Sequence, residues 1–143
     1  MKNSKKFELG WREWLSLPDL GIAKIKAKID TGARTSALHA FFVEPFTQEG
    51  QEWIRFGIHP EQANTTTKLI CEAPVIDQRI VTDSGGNKEL RYVIKTRVVL
   101  AKEIKEIEMT LTNRDTMKFR MLLGRSGIPK DAVVNSRMSY LLG

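Results

Sequence analysis

Apolar and polar residues alternate with a period of two along much of the chain, a pattern that predicts β-strands rather than helices. The alternation is clearest in residues 22–30, which contain in order Lys24, Ile25, Lys26, Ala27, Lys28 and Ile29. A Pro-Asp-Leu-Gly segment at 18–21 joins this strand to an apolar run at 9–17, and proline's fixed φ suits the second position of a turn. The pattern therefore predicts a hairpin whose second strand ends at Asp30.

Three more hairpins are predicted from β-rich runs that flank turn residues. The paired runs are 38–46 with 53–59, 74–82 with 90–100, and 92–100 with 107–112. Lysine and glutamate make 102–109 a candidate helix, but the β-rich runs on both sides leave no room for a crossover, so we predict a strand. Residues 62–68 are predicted to be a loop, and the tail 125–143 has room for one short helix and a last strand. Regularly spaced short strands are typical of a small barrel or sandwich, so the predicted fold class is all-β.

Length and composition indicate one globular domain. The chain has 143 residues, of which 41% are hydrophobic and 28% charged, and this excludes disorder, collagen and coiled coil. We expect one domain over 1–143 with residues 1–6 disordered. The apolar runs fall short of the roughly 18 residues that a membrane-spanning helix needs, and the basic start is not followed by an apolar signal-peptide stretch. We therefore expect a cytoplasmic protein, or a periplasmic one if a signal segment precedes this sequence.

Charge and rare residue types limit the chemistry. The 23 lysines and arginines exceed the 17 acidic residues and give a formal charge of +6. This excess favours anionic partners without choosing among nucleic acid, lipid headgroups and acidic peptides. The single cysteine, Cys71, excludes a disulfide within the chain and is predicted to be a half-buried strand residue.

The most distinctive motif is Asp30-Thr31-Gly32-Ala33, which directly follows an apolar strand. It places a carboxylate on a turn where glycine, which has no Cβ, allows close approach of the backbone. Asp-Thr-Gly taken alone also occurs in plain turns. A second segment, Met-Leu-Leu-Gly-Arg at 121–125, adds large aliphatic residues and a glycine late in the chain.

Together these segments resemble the retropepsin-like aspartic peptidases, whose half-barrel has a hydrophobic-Asp-Thr-Gly-Ala turn supported by a later hydrophobic-hydrophobic-Gly segment. The wider sequence is similar to one bacterial family of such proteins, formerly labelled ATP-dependent zinc proteases, which occur with ATP-grasp ligases that add glutamates to a ribosomal protein. The resemblance extends from about residue 9 to residue 141, and its matching segments are 10–14, 17–40, 112–115 and 119–125. It implies a closed half-barrel with at most one short helix.

Aspartic peptidases need two carboxylates that share one proton, because two like charges in contact cannot both ionise. The chain contains one Asp-Thr-Gly, so the resemblance implies a homodimer in which each copy contributes Asp30 as the catalytic residue, with no cofactor. It further implies that Thr31 hydrogen-bonds across the dimer axis and that Gly32 accepts a substrate amide. Gly124 would let the 121–125 segment pack behind the Asp30-Thr31-Gly32-Ala33 turn and support it. Ala33 is the last residue of that turn.

The turn that contains Ser84, Gly85 and Gly86 is a candidate flap over the substrate. Its glycines suit a mobile tip, although an ordinary hairpin turn has the same composition.

Two arginines are candidate substrate-binding residues. Arg34 stands where viral retropepsins commonly have an acidic residue, and it is expected to face Arg125. Either a local carboxylate such as Asp115 neutralises the pair, or the pair captures an anionic substrate, because two guanidinium groups suit bidentate binding of a carboxylate. The second alternative fits an acidic or glutamate-tailed protein substrate.

The former zinc-protease label has little support in the sequence. No His-Glu-x-x-His motif is present, and His39 and His59 lie in different predicted strands. Because catalytic zinc usually takes three protein ligands, a site would need Cys71 as well, and we expect no metal site. There is also no Gly-x-x-x-x-Gly-Lys-Ser/Thr motif, so any ATP dependence would belong to a partner ligase.

Two alternatives to the aspartic endopeptidase stay open. The same fold could serve as a non-catalytic regulatory partner of the ATP-grasp glutamate ligase. A basic aromatic surface could instead bind single-stranded nucleic acid, although strand lysines also protect a sheet edge; its residues would be Lys24, Lys26, Lys28, Trp11, Trp14 and Trp53. We favour a hydrolase that acts on a peptide or protein, with neither a membrane nor a nucleic acid as its partner.

Overall fold

The computed structural model describes residues 7–60, 68–82, 85–113 and 119–142, and these residues confirm the predicted all-β class. Helical geometry in them is limited to two 3-10 turns, Pro18–Leu20 and Arg125–Gly127. The strands are β1 (Phe7–Gly10), β2 (Arg12–Leu17), β3 (Ile22–Ile29), β4 (Ser36–His39), β5 (Phe42–Gln48), β6 (Gln51–Ile58), β7 (Leu69–Pro74), β8 (Asp77–Thr82), β9 (Lys88–Leu100), β10 (Glu103–Thr112), β11 (Met121–Leu123) and β12 (Ala132–Asn135).

The largest sheet closes on itself. Its order is β10-β4-β11-β3-β2-β9-β8, and β9 also pairs with β10, so six strands form a ring and β8 extends it. The β4–β10 and β3–β11 pairs are parallel, and the other pairs in this sheet are antiparallel. A three-stranded sheet, β5-β6-β7, and a parallel pair, β1-β12, complete the architecture.

The core lies inside this ring and beneath the three-stranded sheet. The alternation in β3 is as predicted, because Ile25 and Ala27 are fully buried and Ile29 is nearly so, whereas Lys24 and Lys28 are exposed. The same core cluster also contains the buried side chains Leu15, Leu17, Leu38, Ile54, Phe56, Ile58, Ile94, Met109 and Met121. Full burial of each large aliphatic or aromatic side chain contributes about 1.5–3 kcal/mol relative to its exposure.

The predicted hairpins are present, with corrections to their bounds. The run predicted as one strand over 9–17 is divided between β1, which pairs with β12, and β2. The run predicted over 74–82 begins at the end of β7, and β8 starts only at Asp77. The run predicted as one strand over 38–46 is divided between β4 and β5, which belong to different sheets. The chain changes sheet at Ala40 and Phe41, whose N–H groups donate to Thr112 O and Gly57 O respectively. The turn predicted at 101–106 is also shorter, because β10 already starts at Glu103. The strand prediction for 102–109 is otherwise confirmed.

Cys71 is more buried than predicted. It lies in β7 with 4% of its surface exposed, and its thiol donates to Leu20 O at 3.3 Å. Burial raises the pKa of the Cys71 thiol to about 11, because a buried thiolate loses its hydration.

A buried carboxylate, which the sequence pattern does not predict, joins the two ends of the described chain. Glu13 is fully buried in β2 and accepts hydrogen bonds from the backbone N–H groups of Gly10 (2.6 Å), Leu141 (2.9 Å) and Leu142 (3.0 Å). It thereby fixes the last residues against the barrel, next to the β1–β12 pair.

Several expectations concern residues outside the described ranges: the disordered start at 1–6, most of the loop at 62–68, Ser84 and Asp115. Within the described ranges, no helix has the length and apolar character needed to cross a bilayer.

Candidate active site

The Asp30 carboxylate lies on a tight turn at the end of β3. The Asp30 N–H donates to Leu123 O at 2.9 Å, and the Ala33 N–H donates to Asp30 O at 3.3 Å. Inside the turn, the Gly32 N–H donates to Asp30 Oδ1 at 3.0 Å. The backbone thus fixes both the position of this residue and the orientation of its carboxylate, while Thr31 and Gly32 are exposed.

The segment after β11 supports this turn from behind. A Cβ on Gly124 would lie 2.7 Å from Thr35 C and 2.8 Å from Thr35 O, distances that real Cβ atoms do not adopt, so the close approach requires glycine. The Gly124 N–H donates to the buried Ser36 Oγ at 3.0 Å. The Arg125 N–H donates to Ala33 O at 2.8 Å, which joins the two segments directly.

A cleft of about 820 Å³ opens in front of the carboxylate. The Asp30 turn forms one side and the β8–β9 hairpin the other, while side chains of the main sheet form the floor. The lining residues are Asp30, Gly32, Ala33, Arg34, Thr35, Ala37, His39, Arg79, Ile80, Val81, Thr82, Gly85, Arg91, Thr110 and Leu122. Among the lining residues that the structure describes, Asp30 is the one acidic residue.

The β8–β9 hairpin carries two exposed apolar side chains next to the cleft. Ile80 and Leu90 are paired across the strands and are 68% and 57% exposed. Of the predicted flap residues, Gly85 lines the cleft, and Gly86 has a φ of +87°, a conformation that favours glycine. The hairpin thus presents Ile80 and a glycine-containing turn to the cleft, with Leu90 beside Ile80 on the neighbouring strand.

The two arginines singled out in the sequence have different surroundings. The Arg125 guanidinium donates from Nη1 to Thr31 O at 2.9 Å, so it is bound to the turn that carries Asp30. Arg34 is exposed at the rim of the cleft and makes no ion pair with another described residue. It is therefore the arginine whose charge is open to a ligand.

Pairing of β8 with β9 brings two more arginines to the cleft, which the sequence analysis missed. Arg79 and Arg91 face each other in register, and both line the cleft. Arg79 is bonded to Glu108 and Asp77, each at 2.8 Å, and these hydrogen bonds raise the pKa of its guanidinium. The charge alternation in this hairpin was visible in the sequence, but the partners depend on the register between strands.

Glu89, next to the turn of this hairpin, joins it to the end of β10 and was also missed. It accepts hydrogen bonds from Arg91 Nε at 2.9 Å, from Thr112 Oγ1 at 2.8 Å and from the Asn113 N–H at 3.3 Å. Burial alone would raise the pKa of this carboxyl, but the bonds from Thr112 and Arg91 outweigh it and hold the pKa below its ordinary value.

The residues considered for zinc are dispersed. His39 lines the cleft, His59 stacks on Phe41 with ring centroids 4.3 Å apart, and Cys71 is buried in β7. The described residues contain no group of three or more His, Cys, Asp or Glu side chains arranged to hold a metal ion.

A barrel of this topology, with an Asp-Thr-Gly turn backed by a Leu-Gly segment from a parallel strand, defines a retropepsin-like protein. Comparison of the sequence with known families supports the same class and confirms the resemblance noted above. The chain belongs to the RimB-like family, described as the retropepsin-like aspartic endopeptidase RimB, whose sequence profile matches residues 8–142.

The chain is also similar to part of several longer proteins with curated names. The chain is 44% identical over 135 residues to a probable alpha-L-glutamate ligase of Desulfotalea psychrophila, covering 94% of this chain and 29% of that protein. It is 43% identical over 141 residues to one of Shewanella pealeana, covering 99% and 31%, and 45% identical over 140 residues to one of Parasynechococcus marenigrum, covering 98% and 30%. The chain thus spans about three tenths of the length of these relatives. Their names agree with the predicted link to a glutamate ligase.

A solved structure shows the same fold. The crystal structure of a protein of unknown function from Legionella pneumophila matches with a TM-score of 0.75 and 24% identity, over 97% of this chain and 100% of that chain. At that level of identity, the similarity concerns the fold alone.

Proposed function

We propose that the protein is an aspartic endopeptidase that works as a homodimer, with Asp30 of each copy in one catalytic pair. The observation that carries this proposal is the Asp30 carboxylate, which the Gly32 N–H orients toward a cleft where no other described lining residue is acidic. One carboxylate cannot act as base and acid at the same moment. A second copy of the same turn supplies the missing group.

The exposed position of the turn is compatible with such a pair. Thr31 and Gly32 lie on the surface, so a symmetry-related turn can approach them without rearrangement of the barrel. At contact distance, the two Asp30 carboxyls would share one proton, because ionisation of both is prevented by their mutual repulsion.

The reaction then follows from the protonation states of the two carboxyls. The ionised carboxylate takes a proton from water as the water oxygen bonds to the scissile carbonyl carbon, and the protonated carboxyl gives its proton to the carbonyl oxygen. The resulting tetrahedral diol collapses when a proton moves to the amide nitrogen and the C–N bond breaks. The products are an amine and a carboxylic acid, and no cofactor is consumed.

The substrate that fits the rim of the cleft is an acidic or glutamate-tailed protein. Arg34 is exposed beside Asp30, and a guanidinium binds a carboxylate through two parallel hydrogen bonds. The names of the relatives, which describe probable glutamate ligases, support a substrate that carries added glutamates.

The test is cleavage of a glutamate-tailed peptide and of an unbiased peptide mixture between about pH 4 and 7.5, in parallel for wild type, Asp30→Asn and Asp131→Asn. Asp131 is an exposed aspartate outside the cleft and controls for loss of one carboxylate. We expect activity that is lost in Asp30→Asn, is kept in Asp131→Asn, resists a chelator and falls with an aspartic-peptidase inhibitor. Activity in a folded Asp30→Asn protein would disprove the proposed catalytic role.

Mixing experiments test the homodimer. If both copies contribute to one site, an equilibrated equimolar mixture of wild type and Asp30→Asn contains about one quarter active dimers. If each chain works alone, about half of the sites stay active. Sedimentation of the wild type at the assay concentration gives an independent measure of the dimer.

The second candidate function is regulation of a glutamate ligase without catalysis. It is favoured by the fact that the matched region occurs inside proteins named as ligases, of which it covers 29–31%. Here the protein would change the rate of glutamate addition by a ligase, and Asp30→Asn would act like wild type.

A further inference from the structure

One outer face of the β2–β3 hairpin is strongly basic, and we call it the β3 lysine row. In register, Arg12 is paired with Lys28, and Trp14 with Lys26. Lys24 lies two residues before Lys26 on β3, on the same side of the strand. Side chains at alternate positions of a strand point to the same side. On this face, β2 and β3 therefore present Arg12, Trp14, Ser16, Lys24, Lys26 and Lys28, with four cations and no carboxylate. Glu13 points into the core.

Aromatic rings separate the cations of the row. The Lys24 and Lys26 ammonium groups lie 4.5 and 5.2 Å from the Trp14 ring centre, and Lys26 is also 5.7 Å from the ring of Tyr140. The Arg12 guanidinium lies 5.0 Å from the Tyr140 ring. Cation–π contacts of this kind hold the positive charges at fixed positions on the surface.

The β3 lysine row leads directly to the cleft. Lys28 is paired in register with Leu122, and Leu122 with Ala37; both of these partners line the cleft. Asp30 follows Lys28 by two residues on the same chain. Since a strand advances about 3.3 Å per residue, the lysines of the row are spaced about 6.6 Å apart, and Asp30 lies roughly 20 Å along the chain from Lys24.

The spacing of about 6.6 Å between the lysines of the row matches the spacing of carboxylates along an extended acidic polypeptide. Glutamates on one side of an extended chain also recur about every 6.6 Å, so successive carboxylates match successive lysines. Single-stranded nucleic acid fits less well, because base stacking needs open ring faces, and cations cover the rings of Trp14 and Tyr140. Trp53, which the sequence placed on the same surface, lies in the three-stranded sheet.

We propose that the β3 lysine row is a secondary binding site, outside the cleft, that holds an extended acidic segment of a polypeptide and directs it to Asp30. The role in guiding cleavage rests on the proposed peptidase function, whereas the binding itself does not.

The experiment measures binding and cleavage separately. Binding of a fluorescent peptide of about ten glutamates, followed by anisotropy at low and high salt, uses an Asp30→Asn background so that no turnover occurs. The test variant is Lys24→Gln/Lys26→Gln. Two matched controls are Lys68→Gln/Lys130→Gln, which removes two charges from other elements, and Lys24→Arg/Lys26→Arg, which keeps the charge. Cleavage of a glutamate-tailed peptide is then measured in the same lysine variants with Asp30 intact.

We expect Lys24→Gln/Lys26→Gln to weaken binding about three- to tenfold at low salt and less at high salt. Both controls should bind like their background. In the cleavage assay, KM should rise by a similar factor while kcat stays unchanged. Lysine-dependent binding without cleavage by the wild type would support the binding site and refute the peptidase proposal.

Cleavage with an unchanged KM in Lys24→Gln/Lys26→Gln would overturn the binding site and leave the peptidase proposal intact. Equal loss of binding in the Lys68→Gln/Lys130→Gln control would overturn it too, because net charge alone would then explain the affinity. Tighter, lysine-dependent binding of an oligonucleotide of equal charge would assign the surface to nucleic acid instead.

Discussion

Substitution of Gly124 by alanine tests how tightly the candidate catalytic turn is supported. The added Cβ would lie 2.7 and 2.8 Å from the carbonyl carbon and oxygen of Thr35 and 3.0 Å from Ala33 O. These separations are about 0.4–0.7 Å inside the lower limit of ordinary van der Waals contact, 3.4 Å. All three atoms belong to the backbone, so no side-chain rotation can relieve the overlap.

The backbone that must move is that of the Asp30 turn. Overpacking of this kind costs about 1–3 kcal/mol, which corresponds to a fall in Tm of about 3–10 °C for a chain of this size. Movement of Ala33 would also disturb its hydrogen bond from the Arg125 N–H. We therefore expect peptidase activity to fall even when it is expressed per folded molecule, because the Asp30 turn itself is displaced.

The assay combines thermal unfolding with amide chemical shifts of residues 30–35. The control is the same glycine-to-alanine change at Gly50. Gly50 has a φ of +76° and open space around its Cβ position, so Gly50→Ala should cost about 1–2 kcal/mol through backbone strain alone. It should leave the shifts of 30–35 unchanged. A Gly124→Ala protein with a wild-type Tm, or with shifts no more perturbed than in the control, would refute the inferred close support.

Two further predictions concern the buried and half-buried carboxylates. Glu13→Ala leaves the N–H groups of Leu141 and Leu142 without their acceptor, so we expect a loss of about 3 kcal/mol or more in unfolding free energy and faster hydrogen exchange at both amides; unchanged exchange would contradict the proposed anchor. Because the folded-state pKa of Glu89 lies below its ordinary 4.5, its stabilisation is present above about pH 4.5 and is lost as the pH falls through the lowered value. Glu89→Gln should thus cost about 1 kcal/mol at pH 7 in urea unfolding, a value reduced for partial exposure, and progressively less as the pH falls below 4.5. A difference that grows in acid would contradict the assigned hydrogen bonds from Arg91.

The alternation of apolar and polar residues was sufficient to predict a strand where one of its faces is buried. In β3, the lysines alternate with isoleucine and alanine, so the sequence predicted the strand, its buried side and the position of Asp30 at its end. The turn at Pro18–Leu20 followed from proline and glycine chemistry in the same way. The Asp-Thr-Gly and Leu-Gly segments were identified through their resemblance to a family rather than through periodicity.

Features that depend on pairing between distant strands could not be predicted. Arg79 and Arg91 meet through the register of β8 with β9, and no local rule specifies register between strands. Glu13 occupies an inward position of β2, where alternation favours an apolar residue, and its three donors come from both ends of the described chain. The division of 38–46 between two sheets is likewise set by long-range hydrogen bonds at Ala40 and Phe41.

The anchoring of Glu13 by Leu141 across 128 residues of sequence has a consequence for biosynthesis. Long-range contacts form late, because their loop-closure entropy must be overcome first. On the ribosome, the N-terminal strands emerge long before Leu123 and Gly124, which hold the Asp30 turn in place. A nascent chain therefore cannot fix Asp30 in its final geometry until Leu123 and Gly124 have emerged from the ribosome, more than 90 residues of synthesis after Asp30 itself.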